Sequence, residues 1–293
     1  MIDGMLLLWY ILTAGSLVFL VWDLQTNTPA TWVMKLAWIL VVLYTGPIGL
    51  FIFLLSCRQP LPGTHDQYIA AHWKQSVGSL MHCVAGDATG IIIAATLTYR
   101  LTLPNGIDLI VEYASGFLVG LFVFQSLFMT VMNHGRYLAA VRRSFFPETV
   151  SMNMVMTGML PVKFIAIEHI AGGDNPLRPE FWGIMSLATL AGMLVAYPIN
   201  SWMVRRGIKH GMMSAMPSPA ATGATPMTAG MKMDDGMNMP EGMTMPAGEH
   251  MAGGMTEPTK VPPGRATAII AGTLAIFVAA IWVTSLVVPI HFT

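Results

Sequence analysis

Seven apolar runs, each long enough to cross a hydrocarbon core about 30 Å thick, decide what this chain can fold into. They cover approximately residues 5–22, 32–55, 78–99, 107–133, 149–170, 181–204 and 266–289. Inside a bilayer the backbone must satisfy its own hydrogen bonds, so such runs become helices. The expectation is an all-α integral membrane protein of about seven transmembrane helices with a disordered Met-rich loop. Four units follow: an N-terminal transmembrane hairpin over 1–60, a four-helix membrane core over 65–213, a Met-rich metal-binding loop over 214–263 and a C-terminal helix over 264–293.

Charge supports a membrane chain and sets an orientation. Only 10% of residues are charged, against about 25% in soluble domains. A net charge of zero with no basic run argues against a nucleic-acid partner. The opening MIDGMLLLWYILTAG lacks a basic n-region and a small-residue cleavage site, so it reads as a retained first span. Arg58, Lys74, Arg136, Arg142, Arg143, Arg205, Arg206, Lys209, Lys260 and Arg265 flank alternate connections. The remaining ones hold Arg100 and Arg178, besides Lys35 at a helix start. The positive-inside rule then places the N-terminus and the long sixth connection in the cytoplasm and the C-terminus outside, in a bacterial inner membrane.

The third run, 78–99, is the chemically loaded one. Its first half carries His82, Cys83 and Asp87, and with Ser79, Gly86 and Gly90 these fall within an arc of about 140°. Ionisable groups inside a membrane are costly and mark function by default. Imidazole beside thiol suggests a soft metal, whereas a buried His bonded to a helix carbonyl is the plainer alternative. Cys57 and Cys83, the two cysteines, cannot make a disulfide framework or a paired-cysteine zinc site. Gly86 and Gly90 here, and Gly116 and Gly120 in the next run, predict close contact between these two helices.

Further candidates lie on the fourth and fifth runs. Glu112 could partner an intramembrane base. Met152, Met156, Met159 and Lys163 form one stripe about 60° wide, with Pro161 expected to disturb it. Thioethers can hold Cu(I), and they also fill gaps in a core, so both readings stand. The segment 135–146 is basic and aromatic and belongs at the headgroup level. Gly46, Pro47 and Gly49 should kink the second run, and Pro198 the sixth. Asn200 and Trp202 read with Arg205 and Arg206 as an interfacial anchor.

Of 25 methionines, 12 lie between Met212 and Met255. They recur as pairs one residue apart, Met231/Met233, Met237/Met239 and Met243/Met245, with His250 and Met251 following. Nothing in linker physics calls for methionine, which is an oxidation liability when exposed. Neutral thioethers select Cu(I) or Ag(I) over harder ions.

Two stretches, WKQSVGSLMHCVAGDATG at 73–90 and FWGIMSLATLAGMLVAYPINSWMVRRGIKHGM at 181–212, resemble a bacterial membrane-protein family known only as a domain of unknown function with four spans. The resemblance covers about 68–213 and implies a four-helix core whose first helix carries a His-Cys step, matched by His82 and Cys83. Members often show a further cysteine and a glutamate a few residues on, where this chain has Gly86, Asp87 and Gly90. The Met152-xxx-Met156 step is similar to one in copper importers.

Three functions remain open on this basis. The first is Cu(I) handling by binding, buffering, delivery or transport, with the methionines and His250 of the loop and with His82, Cys83, Met152, Met156 and Met159 as donors. Asp87, Glu112 and Lys163 would then handle protons, and a copper-dependent membrane enzyme or a copper exporter would be the partner class. The second is a redox subunit binding b-type haem or quinone through His82, His134 or His169. The third is a structural or assembly protein without a ligand. The chain contains no GxxxxGK[ST], HExxH or GxGxxG pattern, and no enzyme is expected.

Overall fold

The computed structural model describes residues 2–132, 136–211, 259 and 261–291, and the regular elements among them are all helices. In order these are α1 (Ile2–Thr26), α2 (Trp32–Ser56), the short α3 (His65–Ile69), α4 (His72–Thr98) and α5 (Asn105–Leu118). α5 runs through a π-helical stretch (Val119–Gln125) into α6 (Ser126–Met132). Then follow α7 (Tyr137–His169), α8 (Pro179–Arg205) and α9 (Pro263–Ser285). Seven helical segments are long and apolar enough to cross a membrane.

Burial ranks these segments. The most apolar window of α4 is 78% buried and that of α7 61%, whereas α1 and α9 reach only 17% and 11%. α4 and α7 therefore form the middle of the bundle, and α1 and α9 turn most of their apolar surface outward. α7 packs on α8 and α9, α4 packs on α5 and α8, and α2 leans on α1, α4 and α8. The anticipated glycine contact is present. A Cβ on Gly86 would lie 2.6 Å from Gly120 Cα, and one on Gly90 would lie 2.7 Å from Gly116 Cα. Only hydrogen at these positions lets α4 and α5 approach so closely.

α2 departs from expectation. Its run has the length of a crossing, but Gly46 adopts φ 58°, ψ −137°, and the helix folds back on itself there. The rings of Trp38 and Phe53 lie 5.3 Å apart, where a straight helix would separate them by about 22 Å. Beyond the far end of α2, Arg58 Nε donates to Asp23 Oδ1 at 2.8 Å, and Asn27 Nδ2 donates to the Gln59 carbonyl at 2.9 Å. Both ends of α2 thus sit at one face. Pro47 has no N–H to continue the helix, and Ser186 Oγ donates to the carbonyl of Tyr44 just before the break. The expected kink is a complete reversal, and α2 is re-entrant.

This reversal corrects the expected relation of the two termini. Tyr10 donates to the Pro179 carbonyl at the start of α8, which places the beginning of α1 at that face. The C-terminal end is held there too, with Gly106 N donating to the His291 carbonyl at 2.8 Å and Asn105 Oδ1 accepting from His291 N at 2.7 Å. Both termini lie at one face, opposite Arg58, Lys74 and Arg205. We call these the terminal face and the basic face.

α7 also differs. The basic, aromatic segment starting at Tyr137 is part of this helix, which continues through both Pro147 and Pro161. α8 likewise continues through Pro198. Packing on both sides of these helices supports the turns that proline weakens.

Candidate functional site

Four segments bring polar side chains together inside the bundle, toward the basic face. α4 contributes His82 and Cys83 and, one turn on, Asp87; the π-helical stretch contributes Gln125; α7 contributes Glu148; the chain after α8 contributes Lys209. All six are buried, Asp87, Cys83 and Glu148 completely. Lys209 Nζ donates to Cys83 Sγ at 2.7 Å and to Asn200 Oδ1 at 2.6 Å. Cys83 donates to Glu148 Oε2 at 3.2 Å, and Gln125 Nε2 donates both to that oxygen, at 2.9 Å, and to the sulfur. Gly120 is glycine for a local reason: a Cβ there would run into Glu148 Oε1 and Asp87 Oδ1. The π-helical register, often found at functional sites, carries Gly120 and Gln125 into the cluster together.

Several groups in the cluster lack partners. Ser79 Oγ and both ring nitrogens of His82 are buried without a hydrogen bond, whereas Asp87 Oδ1 and Glu148 Oε1 stand together over Gly120. His82 packs edge-on against Phe128, with centroids 4.3 Å apart. A void of about 20 Å³ lies between His82, Met129, Ser144, Lys209 and His210, with Gln125 and Arg143 also on its wall. That volume holds one water or one bare ion. His210 Nε2 has no hydrogen-bond partner either. Burial, reinforced by the Arg143 charge, holds the His210 imidazole below its ordinary range and hence in the neutral, ligand-competent form. A crevice of about 510 Å³, lined by Arg142, Arg143, Phe146, Ile208, Thr259 and Pro262 among others, shares Arg143, Pro147 and Ile208 with the void and opens at the basic face.

A second polar group sits toward the terminal face. Lys163 of α7 pairs with Glu112 and reaches Asp108 Oδ2 at 3.4 Å, both on α5, while Thr98 donates to Asp108 Oδ1. Glu112 is fully enclosed, and Asp108 is 26% exposed on a vestibule of about 700 Å³. Arg100, Lys163, Glu168 and Asp174 share its lining.

These positions divide the sequence candidates. His82, Cys83 and Asp87 join one cluster, whereas Glu112 and Lys163 pair with each other elsewhere. The residues expected to handle protons therefore fall into two separate groups. Met152, Met156 and Met159 are buried on α7: Met152 Cε lies beside Gly116, and Met159 lies against Gly192 of α8. Met231, Met233, Met237, Met239, Met243, Met245, His250 and Met251 lie outside the described residues, as does His134. His169 caps its own helix end, its Nδ1 2.7 Å from the Ile165 carbonyl oxygen. Among the described residues no three His, Cys, Asp or Glu side chains converge as a metal-holding group. The donors bordering the void are two imidazoles and the Met129 thioether instead.

Sequence reasoning missed Glu148, which falls one residue before the fifth run, placed Asn200 with an interfacial anchor and counted Lys209 only among the charges that set orientation. It also gave no role to Gln125, Met129 or His210. Cys57 is buried away from the site near Trp38, and burial pushes its thiol up to about 12, which makes it inert.

No curated protein and no solved structure matches the chain. A family model described as "Domain of unknown function (DUF4396)" matches residues 72–209, a stretch that includes His82, Cys83, Asp87, Gln125, Glu148, Asn200 and Lys209 and leaves out α1, α2 and α9. Residues 72–209 thus carry a DUF4396 domain, and the buried polar cluster is built wholly within it.

Proposed function

We propose that this membrane protein handles Cu(I), taking the ion at its Met-rich connection and passing it to donors within and bordering the DUF4396 domain. The supporting observation is where that connection is fastened. Thr259 N donates to the Gly207 carbonyl at 2.8 Å, so the two stems of the Met-rich segment are tied together at the crevice mouth. Lys209 and His210, on one stem, already border the void beside His82. An ion released by the connection is thereby delivered next to the His82 ring and the free Nε2 of His210.

The donor chemistry suits a soft monovalent ion. His82, His210 and Met129 offer neutral nitrogen and sulfur, and Cys83 offers a further sulfur behind Lys209. Lys209 places one positive charge against the sulfur, and a Cu(I) ion entering there replaces a charge of equal size. The Glu148 carboxylate, which contacts the thiol, balances either occupant. By the positive-inside rule the basic face is cytoplasmic, so both termini are outside and the connection loads from the cytoplasm.

Titration with Cu(I) or Ag(I) tests this reading on three samples: the intact protein, one lacking residues 214–258, and His82→Ala/Cys83→Ala. The intact protein binds several ions, the deletion retains one, and the double variant loses that one. Equal, negligible uptake by all three overturns the reading.

A further inference from the structure

We propose that the cation crosses the bundle along the methionine face of α7 and leaves through the vestibule at the terminal face, so that the protein is a transporter of soft monovalent cations. This inference rests on the Cu(I) reading above and decides between transport and storage.

Openings on opposite faces lead to the same helix. On the basic face the crevice and void reach His82, and the Cys83–Glu148 contact sits at the first buried turns of α7. On the terminal face the vestibule reaches Lys163. Met152, Met156 and Met159 lie between these levels, exposed by only 0%, 2% and 3%. One turn beyond Glu148, Met152 Cε stands where a Cβ on Gly116 would be 2.7 Å away, beside Ile91 and the Asp87 carbonyl. Met152 therefore faces the α4–α5 seam, one helical turn along α7 from the carboxylate that the thiol contacts. Each step along the stripe, to Met156, to Met159 and on to Lys163, advances about 4–6 Å along the helix.

A packing stripe explains methionines in a core, but it does not explain why the stripe ends in charge at a cavity. Ionisable groups within a membrane line pathways more often than they stabilise folds. The vestibule carries Asp108, Glu168 and Asp174 against Arg100 and Lys163, with Glu112 behind, an acidic balance that favours an arriving cation. The ion keeps its charge throughout: coordination to one thioether forms as that to the previous donor breaks, and no electron or proton need move. Weak, neutral, repeated donors suit passage, because no single station holds the ion tightly.

The experiment uses full-length protein in phosphatidylcholine/phosphatidylglycerol vesicles loaded with bathocuproine disulfonate, with Cu(I) kept reduced outside by ascorbate. Wild type is expected to colour the interior at least tenfold faster than protein-free vesicles. Met152→Leu/Met156→Leu/Met159→Leu, which conserves volume, is expected to fall to the protein-free rate while its thermal unfolding and helical circular dichroism in detergent stay as in wild type. Asp108→Asn, at the water-exposed end, serves as the second variant and is expected to slow uptake at least threefold with binding intact. Wild type that binds Cu(I) but colours vesicles no faster than lipid alone overturns transport and leaves the binding reading standing, and so do variants as fast as wild type. Absence of Cu(I) binding by wild type overturns both.

Discussion

Lys209 holds its ammonium 2.7 Å from the sulfur of Cys83, a residue 126 positions earlier in the chain. The contact joins the first stem of the Met-rich connection to the innermost helix of the bundle. A buried amine on a buried sulfur is costly unless another charge compensates, and the Glu148 carboxylate stands on the same sulfur. If Lys209 fills the place of a cation, removing its charge should favour a metal ion. At an effective dielectric of about 20, unit charges 4 Å apart interact by about 4 kcal/mol, far more than the 1.4 kcal/mol of a tenfold change. Lys209→Ala is therefore expected to bind Cu(I) at least tenfold more tightly, measured by competition with a Cu(I) chelator. Unchanged or weaker binding would assign Lys209 a different role.

The fold-back of α2 gives a prediction about sidedness. A cysteine fits without contact at Gly4 and Gly264, Leu61 is exposed, and both native cysteines are buried. In intact cells or oriented vesicles, an impermeant maleimide should label Gly4→Cys from the face opposite to Leu61→Cys and Gly264→Cys. Seven simple crossings would put all three on one side.

Gly46 is the residue on which that fold-back turns. A side chain there is strained at φ 58°, and its Cβ would meet Thr13 Oγ1 at 2.5 Å. Gly46→Ala is expected to cost about 2 kcal/mol or more, since a positive-φ conformation with ψ −137°, open essentially to glycine, costs an L-residue about 1–3 kcal/mol before the clash is added. Thermal unfolding in detergent measures it, and a variant as stable as wild type would contradict the reversal.

The Glu112–Lys163 pair should obey the asymmetry of buried ion pairs. Lys163→Met alone leaves an enclosed carboxylate and is expected to destabilise by about 3–5 kcal/mol, whereas Glu112→Leu/Lys163→Met should recover most of that loss. A denaturant-based double-mutant cycle reads the coupling. Additive losses would mean that the pair contributes nothing as a pair.

His65 provides a pH test outside the spans. Burial holds its imidazole below the ordinary range, against smaller opposing effects of the Cys57 carbonyl and Asp66. Its unfolded form takes up a proton near pH 6.5 while the folded form resists, so stability should fall as pH drops below about 6.5. His65→Gln is expected to flatten this part of the pH–stability curve between pH 7 and 5. An identical slope in both proteins would show that His65 is not its source.

Much of this arrangement was legible in the residues. The paired glycines announced the α4–α5 contact because only a missing Cβ permits it. His82 and Asp87 stood out because charge in an apolar run has few uses. Hydropathy could not separate a re-entrant helix from a crossing one, since both need the same length of apolar sequence, and the reversal depends on one residue's dihedral angles. Lys209 was hidden by its basic neighbours: Arg205 and Arg206 are exposed anchors, and only the turn after α8 directs the lysine inward. Glu148 was lost at a boundary, because α7 starts well before its apolar run.

X-ray absorption at the copper edge, on protein lacking residues 214–258 and loaded with one Cu(I), tests the central claim most directly. The account predicts a monovalent ion bound by both nitrogen and sulfur, with the nitrogen contribution lost in His82→Ala. Protein that emerges from desalting without copper, or a spectrum unchanged by His82→Ala, would contradict it.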